Sequence, residues 1–269
     1  MFLFFLAPMD RVRFLGTGGG RWCSIYQTRS TAGFRLELGS TKIHVDPGPG
    51  TISRYKELKL NPRQNNCLIV SHCHLDHYSD AEVLIEAMGM AKVGGTLLAN
   101  KNVLEGTGNF QTPINAYHRS LLTEVRQMAD GDTHKVGKVE IEAVKLSHSE
   151  PETVGFIFNL GTKIGYIADT EYFPELSSRF KGLDLLICNL LRPGKFRIQG
   201  HMCTDDAIRL LRECKPARCI ITHFGLKMIR ANPALEAQRI ADATGIGCMA
   251  AEDGMPLDVS RQSSLDQFR

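Results

Sequence analysis

Cys67–Asp80 reads C-L-I-V-S-H-C-H-L-D-H-Y-S-D. The apolar run Cys67–Val70 has the length and content of a buried strand, and it stops abruptly at Ser71. His72, His74 and His77 then fall within six residues, with Asp76 among them. Packing requires apolar side chains, and an exposed loop has no need of histidine. Neutral imidazole and carboxylate are the usual ligands of zinc, iron and manganese. A turn after a strand can aim alternate residues into one cavity. His72 and His74 are therefore candidate ligands of one ion, and Asp76 with His77 of a second. A histidine-rich surface loop is the weaker explanation.

The same arrangement recurs downstream. Val139, Ile141 and Ala143 alternate with Glu140 and Glu142, and the strand runs through Leu146 to Ser147-His148-Ser149. Gly155–Leu160 and Lys163–Ala168 read as a hairpin about Gly161-Thr162, whose second strand ends in Asp169. Leu183–Leu190 is a further buried strand. A basic loop, Arg192 to Arg197, leads from it to Gly200-His201. Cys219–Thr222 is again a strand, and it ends in His223. Open sheets place their sites at the carboxyl ends of strands. One strand-end histidine is often only a satisfied loop residue; four strands ending in His72, His148, Asp169 and His223 argue for a single site.

Around this frame, Val12–Leu15 is a strand running into Gly16–Gly20. No Lys-Ser/Thr follows the glycines and no helix pattern opens, so the stretch reads as a tight turn that lets backbone pass close to a site. Residues 32–38 and 41–45 form a hairpin around Gly39-Ser40. Asp46-Pro47-Gly48-Pro49-Gly50 breaks the second strand, and Asp46 either supports a metal ligand from behind or shapes the turn. Ser79-x-x-Glu82 reads as a capping box opening a helix to about Met90. Residues 93–98 read as a strand, Asn109–Ala116 as loop and Leu121–Met128 as helix. His118 and His134 lie in polar surroundings and read as solvated. Thr204 caps a helix with apolar positions Ala207, Leu210, Leu211 and Cys214. Asn232-Pro233 opens another helix, closed by Gly245. Asp253-Gly254 turns between the last two strands.

Composition sets the bounds. The chain has 269 residues, 43% hydrophobic and 23% charged, which describes an ordinary soluble globular protein with ample core. A net charge of +3 does not by itself imply nucleic acid. The eight cysteines include no C-x-x-C pair and read as reduced residues of a cytoplasmic chain. Cys73 is the exception to consider, as an alternative thiolate ligand. Met1–Ala7 is apolar, lacks a basic flank, and is too short for a signal peptide core or a membrane span. The expected organisation is one domain over residues 9–259, an N-terminal extension over 1–8 and a disordered tail over 260–269, with no membrane partner.

The spacing H-x-H-x-D-H resembles the metallo-β-lactamase superfamily. The resemblance extends over residues 11–259: FLGTG at Phe14–Gly18, IHVDPGPG at Ile43–Gly50, SHCHLDH at Ser71–His77, LSHS at Leu146–Ser149, IADT at Ile167–Thr170 and THFG at Thr222–Gly225. It implies an α/β fold, a four-layer αββα sandwich of two mixed sheets with helices outside. It also implies two divalent ions, zinc first, with manganese and iron suited to the same ligands. His72, His74 and His148 would bind the first ion, Asp76, His77 and His223 the second, and Asp169 would bridge them.

Within the superfamily the chain looks closest to the phosphodiesterase branch, which holds RNase Z and a phosphoribosyl cyclic phosphodiesterase. FLGTGGGR with Arg29 downstream is similar to their first loop, and HSEPETVGFIF to their third-ligand segment. His201, before a helix that feeds the last ligand strand, is similar to their extra catalytic histidine. Departures are Asp80 where D-H-x-x-G has glycine, Gly225-Leu226-Lys227 where RNase Z has a basic serine-arginine stretch, and the lack of a glycine-proline-rich tRNA-gripping arm. The implied activity is hydrolysis of a phosphodiester by a metal-bridging hydroxide, on a cyclic phosphate, a nucleotide or RNA. Asp76 and His201 are the candidate catalytic residues; His201 alternatively caps the following helix. Lys195 and Arg197 either grip phosphate or form a solvated basic loop. A lactone or thioester hydrolase on the same site, and a non-catalytic nucleic-acid binder, are the competing readings. A homodimer is typical of the branch.

Overall fold

Residues Cys67–Val70 form a strand whose side chains divide by parity. Cys67 and Ile69 enter the space between two sheets, while Leu68 and Val70 meet a layer of helices. A strand buried on both faces must read as a continuous apolar run, and this one does. The computed structural model describes residues 10–91 and 94–259. The calls on residues 1–8 and 260–269 lie outside these.

The first sheet holds β1 (Arg11–Phe14), β2 (Phe34–Leu38), β3 (Thr41–Val45), β4 (Cys67–Val70), β5 (Thr96–Ala99) and β6 (Glu124–Gln127) in chain order. The second holds β7 (Thr133–Val136), β8 (Val139–Lys145), β9 (Val154–Asn159), β10 (Lys163–Ile167), β11 (Leu185–Asn189), β12 (Arg218–Thr222) and β13 (Gly247–Ala250). A last strand, β14 (Pro256–Asp258), returns to pair with β1, so each sheet has seven strands. Each sheet begins as an antiparallel meander and continues as three parallel pairings, β3 to β6 in one and β10 to β13 in the other. The expected hairpins about Gly39-Ser40 and Gly161-Thr162 are present. The turn at Asp253-Gly254 joins strands that do not pair: it carries the chain from the second sheet back to the first.

The helices are α1 (Gly20–Tyr26), α2 (Thr51–Glu57), α3 (Leu75–Tyr78), α4 (Ala81–Gly89), α5 (Lys101–Leu104), α6 (Ala116–Ser120), α7 (Leu176–Arg179), α8 (Thr204–Cys214), α9 (Leu226–Ala231) and α10 (Pro233–Thr244). Tyr55 of α2 and Ala81, Leu84, Ile85 and Met88 of α4 cover the outer face of the first sheet. Leu210 and Leu211 of α8 and Ala237 and Ile240 of α10 pack on the second. Between the sheets, Phe34 meets Tyr166 edge to face at 4.9 Å. The four-layer αββα sandwich is therefore the observed architecture. No helix among the described residues is long and apolar enough to cross a membrane.

Several local expectations are corrected. Leu121–Met128 is not helical: β6 occupies Glu124–Gln127 and pairs with β5, because a free parallel edge outweighs weak local propensity. The loop expected over Asn109–Ala116 is present up to Asn115, the N-cap of α6. A helix, α1, does open at the end of the glycine run. Ser79 does not cap α4; its hydroxyl donates to Leu75 O, Asp80 is the N-cap, and Asp80 Oδ2 accepts from Ile52 N. The helix expected to be capped by Thr204 has Cys203 as its N-cap, with Cys203 N donating to Asp206 Oδ2. His118 and His134 are not solvated. His118 lies 2.9 Å from Glu82 Oε1 and His134 3.2 Å from Glu124 Oε2.

Glu150, fully buried after the His148 turn, ties the two halves of this edge together. Its carboxyl group accepts from Asn100 Nδ2 at 2.7 Å, from Asn102 Nδ2, and from Thr153 Oγ1 at 3.1 Å. Glu150→Ala would strand the buried Asn102 amide and leave Asn100 Nδ2 with Ser71 O alone. Each orphaned donor costs about 1–3 kcal/mol, so urea unfolding should show a loss of at least that order.

Candidate metal centre

Six of the nine histidines meet at the carboxyl edge of the parallel strands, with Asp76 and Asp169. His72 follows β4 directly and is fully buried; His74 precedes α3, whose single turn presents Asp76 and His77. His148 lies in the turn after β8, Asp169 just past β10 and His223 just past β12.

The donors fall into two groups. His72 Nε2 and His148 Nε2 each lie 3.0 Å from His74 Nδ1. His77 Nε2 lies 3.1 Å from His223 Nε2, and Asp76 Oδ2 is 3.3 Å from the same nitrogen. Asp169 Oδ2 stands between the groups, 3.9 Å from His72 Nε2 and 3.5 Å from His77 Nε2. All seven expected ligands converge, in the grouping the resemblance implies.

Hydrogen bonds behind the rings decide which nitrogens face inward. Ser71 Oγ donates to Asp46 Oδ2 at 2.7 Å, which leaves its lone pair for a proton on His72 Nδ1, 3.0 Å away. His77 Nδ1 is 2.9 Å from Asp46 Oδ2, and His148 Nδ1 is 2.7 Å from Gly200 O. Each of these rings thus keeps its Nε2 lone pair for the centre. Asn189 Nδ2 donates to Asp169 Oδ1 at 2.9 Å. Tyr166 OH donates to Asp46 Oδ2 at 2.6 Å.

Backbone is spent on the same end. Asp46 and His223 both sit at positive φ, 52° and 62°, the kind of conformation that persists where surrounding structure over-determines it. Gly19 passes so close that a Cβ there would lie 2.2 Å from the His223 ring. Gly20 N donates to Asp76 Oδ2 at 2.7 Å. The glycine run is the close-passing turn that the sequence suggested. Arg29 stacks over Phe224, next to His223, at 5.1 Å.

Electrostatics fit a cation. Burial, with His77 alongside, holds His72 well below the usual histidine range, against the pull of Asp169. For His77 burial also opposes charge, but Asp76, Asp46 and Asp169 outweigh it and hold the ring well above that range. Asp169 is held well below the carboxylate range by His223, His201 and His77, against its own burial. Three imidazole nitrogens within hydrogen-bonding distance cannot all be satisfied by shared protons. His223 Nδ1 is buried with no hydrogen-bond partner. Imidazole nitrogens and carboxylate oxygens, with the donor atoms of each group within 4.8 Å of one another, are the ligands that divalent transition ions take.

A family model described as a β-lactamase superfamily domain matches residues 41–224. The chain belongs to the metallo-β-lactamase superfamily. An uncharacterized protein of Methanocaldococcus jannaschii is 41% identical over 251 residues, covering 91% of this chain and 94% of that protein. A ribonuclease Z of Methanopyrus kandleri is 25% identical over 250 residues, 88% of this chain and 85% of its own length. Among solved structures, the metallo-β-lactamase fold protein YhfI of Bacillus subtilis shares the fold at a TM-score of 0.75 and 18% identity, covering 92% of this chain and 98% of that one.

The remaining candidates from the sequence lie around this cluster. His201 lies beside the ligands, its Nδ1 3.5 Å from Asp169 Oδ2, and since Cys203 caps α8, helix capping is not its role. Burial, against the pull of Asp169, pushes the His201 ring down to about 4. Arg197 is engaged by Asp206, at 2.6 Å, in a separate 320 Å³ hollow that it shares with His201. Lys195 is exposed and lines neither that hollow nor the main cleft. Cys73 faces away, its thiol toward Gln111 O, and burial pushes it up to about 11. A cleft of about 610 Å³ opens onto His74, Asp76, Asp169 and His201; Arg21, Arg192, Lys227 and Arg230 line it.

Ser71, Tyr166, Asn189 and Gly200 were missed, because only the folded chain brings them behind the ligands. Asp46 was the one member of this outer layer with a signal in the sequence, a strand end before Pro-Gly. Asp46→Ala should weaken metal binding by about 10- to 100-fold in competition against a chromogenic chelator, with the fold retained by circular dichroism.

Proposed function

We propose that this metal-dependent hydrolase of the metallo-β-lactamase superfamily cleaves phosphodiesters at a site for two divalent ions. The observation that carries the reading is the pairing of His201 with the ligand cluster beneath a cationic cleft. A neutral lactone needs no such field, whereas a phosphodiester arrives as an anion. The likeness to a ribonuclease Z over 88% of the chain supports the same reading.

His72, His74 and His148 would hold one ion, Asp76, His77 and His223 the other, with Asp169 reaching both. Zinc suits the histidine-rich set; manganese and iron take the same donors. Bound there, the ions supply Lewis acidity and a water activated near neutral pH. The residues themselves do the rest. Asp169 is fixed by Asn189 and holds the two halves of the centre in register. Asp76, tethered by Gly20 N, fixes the side of the centre nearest the cleft. His201 hydrogen-bonds an oxygen of the phosphate and stabilises the charge that develops on it. His72, His77 and Asp169 are buried, which strengthens the interactions on that side of the centre.

Purified protein should contain up to two equivalents of metal by elemental analysis. Removing them with a chelator should abolish hydrolysis of bis-p-nitrophenyl phosphate, and zinc or manganese should restore it. His201→Ala should lower kcat on that ester by about 10²–10³-fold while metal content stays at the wild-type level. Loss of metal in that variant would make His201 a ligand instead. Faster turnover of a generic lactone than of any phosphodiester would sink the phosphodiester reading.

A further inference from the structure

Helix α1 presents an aromatic face that the metal centre does not use. Trp22 is 58% exposed and Tyr26 65% exposed, yet their rings are stacked on each other, 6.1 Å apart and 13° from parallel. Large rings in water gain little by exposure, and two held parallel form a preorganised flat surface. Trp22 also lines the cleft that opens onto His74, Asp76 and His201. The platform and the candidate metal centre therefore share one cavity.

The same cavity is cationic. Arg21, Arg192, Lys227 and Arg230 line it from three separate elements: α1, the turn after β11, and α9. None of the four lies within ion-pair distance of a carboxyl group among the described residues, and the Arg192 Nε is buried with no hydrogen-bond partner. Most other surface arginines here have such a partner, among them Arg54, Arg179, Arg209 and Arg239. The carboxyl groups in the cleft, Asp76 and Asp169, belong to the ligand set. Four uncompensated cations exceed what a single phosphodiester at the metal centre can neutralise. They fit a ligand with further phosphates.

We propose that Trp22, backed by Tyr26, is a stacking platform for a nucleobase whose neighbouring phosphates rest on Arg21, Arg192, Lys227 and Arg230, so that the substrate is a single-stranded oligonucleotide. This rests on the phosphodiester reading and narrows it. Base stacking on an aromatic ring tolerates any sequence, because every base has a flat face, and the cations follow the backbone. A cyclic phosphate or a small alkyl diester would leave both the platform and the cations idle.

Trp22 is the chain's one tryptophan, so intrinsic tryptophan fluorescence reports on this platform alone. The probe is a phosphorothioate-linked oligoadenylate, added to the metal-loaded protein. A ribose-phosphate oligomer of equal length without bases serves as its comparison. The adenylate should quench Trp22 saturably and the abasic oligomer should not. By anisotropy the wild-type protein should prefer the base-bearing oligomer by roughly ten-fold or more, and Trp22→Leu should bring that ratio close to one. Lys227→Ala with Arg230→Ala should weaken both oligomers alike and flatten the salt dependence. Equal wild-type affinity for the two oligomers would overturn the platform. So would fluorescence that follows protein concentration rather than ligand, since a second copy of the chain would then cover this face. Binding is read without turnover, so the two readings fail separately. A protein that prefers the base-bearing oligomer yet cleaves no phosphodiester contradicts the hydrolase reading; one that cleaves small diesters yet shows no base preference contradicts only the platform.

Discussion

Four donors converge on the carboxyl group of Asp46: Ser71 N, Ser71 Oγ, the His77 ring and the Tyr166 hydroxyl. Asp46 is buried just past β3 in the left-handed region, and its side chain is held by these four donors. Its partners come from the end of β4, from α3 and from β10 of the opposite sheet. Through Ser71 it sets the inward nitrogen of His72, and directly that of His77. Through Tyr166, whose ring packs on Phe34, it links both rings to the distance between the sheets. Core packing and ligand geometry are thus one constraint. A shift of the sheets relative to each other would strain this Asp46 network as well as separate the ligands that each sheet supplies.

The direction of the strands explains why the centre lies where it does. Parallel strands present their carboxyl ends along one edge, and both sheets end their meanders by turning parallel. The first sheet supplies His72–His77 from one turn. The second supplies His148, Asp169, His201 and His223 from four. Neither half holds a complete group: His148 closes the first and His223 the second. Some 150 residues separate the first ligand from the last, so the centre forms only when the sheets have packed. Metal binding is accordingly coupled to folding of the whole domain rather than to one local segment.

That coupling also marks which parts were legible in the sequence. A strand that stops at a histidine or aspartate is a local pattern, and it pointed to His72, His148, Asp169 and His223 without any three-dimensional information. Strands β1 to β5 and β8 to β12 followed from similar apolar or alternating runs. What escaped depends on neighbours far along the chain. Residues 121–128 have side chains compatible with a helix, and only the open edge of β5 makes them a strand. Ser79 and Glu82 have the spacing of a capping box, but Leu75 O and the Asn115–His118 segment claim their side chains first. The helix after the glycine run has no side-chain cap and only seven residues, so little in its sequence announces it.

Charge shows the same limit most clearly. In sequence, Lys195 and Arg197 stand together before His201 and look like a phosphate grip. In the folded chain Arg197 is neutralised by Asp206, and Lys195 is exposed without lining the main cleft. Arg21, Arg192, Lys227 and Arg230 are scattered over the chain and carry no motif. They share a wall because the turn after β11, α1 and α9 meet where Gly20 and Gly225 approach Leu191. A net charge of +3 describes none of this. An anion entering the cleft responds to the local field, which low-dielectric walls focus, so four uncompensated cations in one cavity outweigh the near neutrality of the rest of the surface.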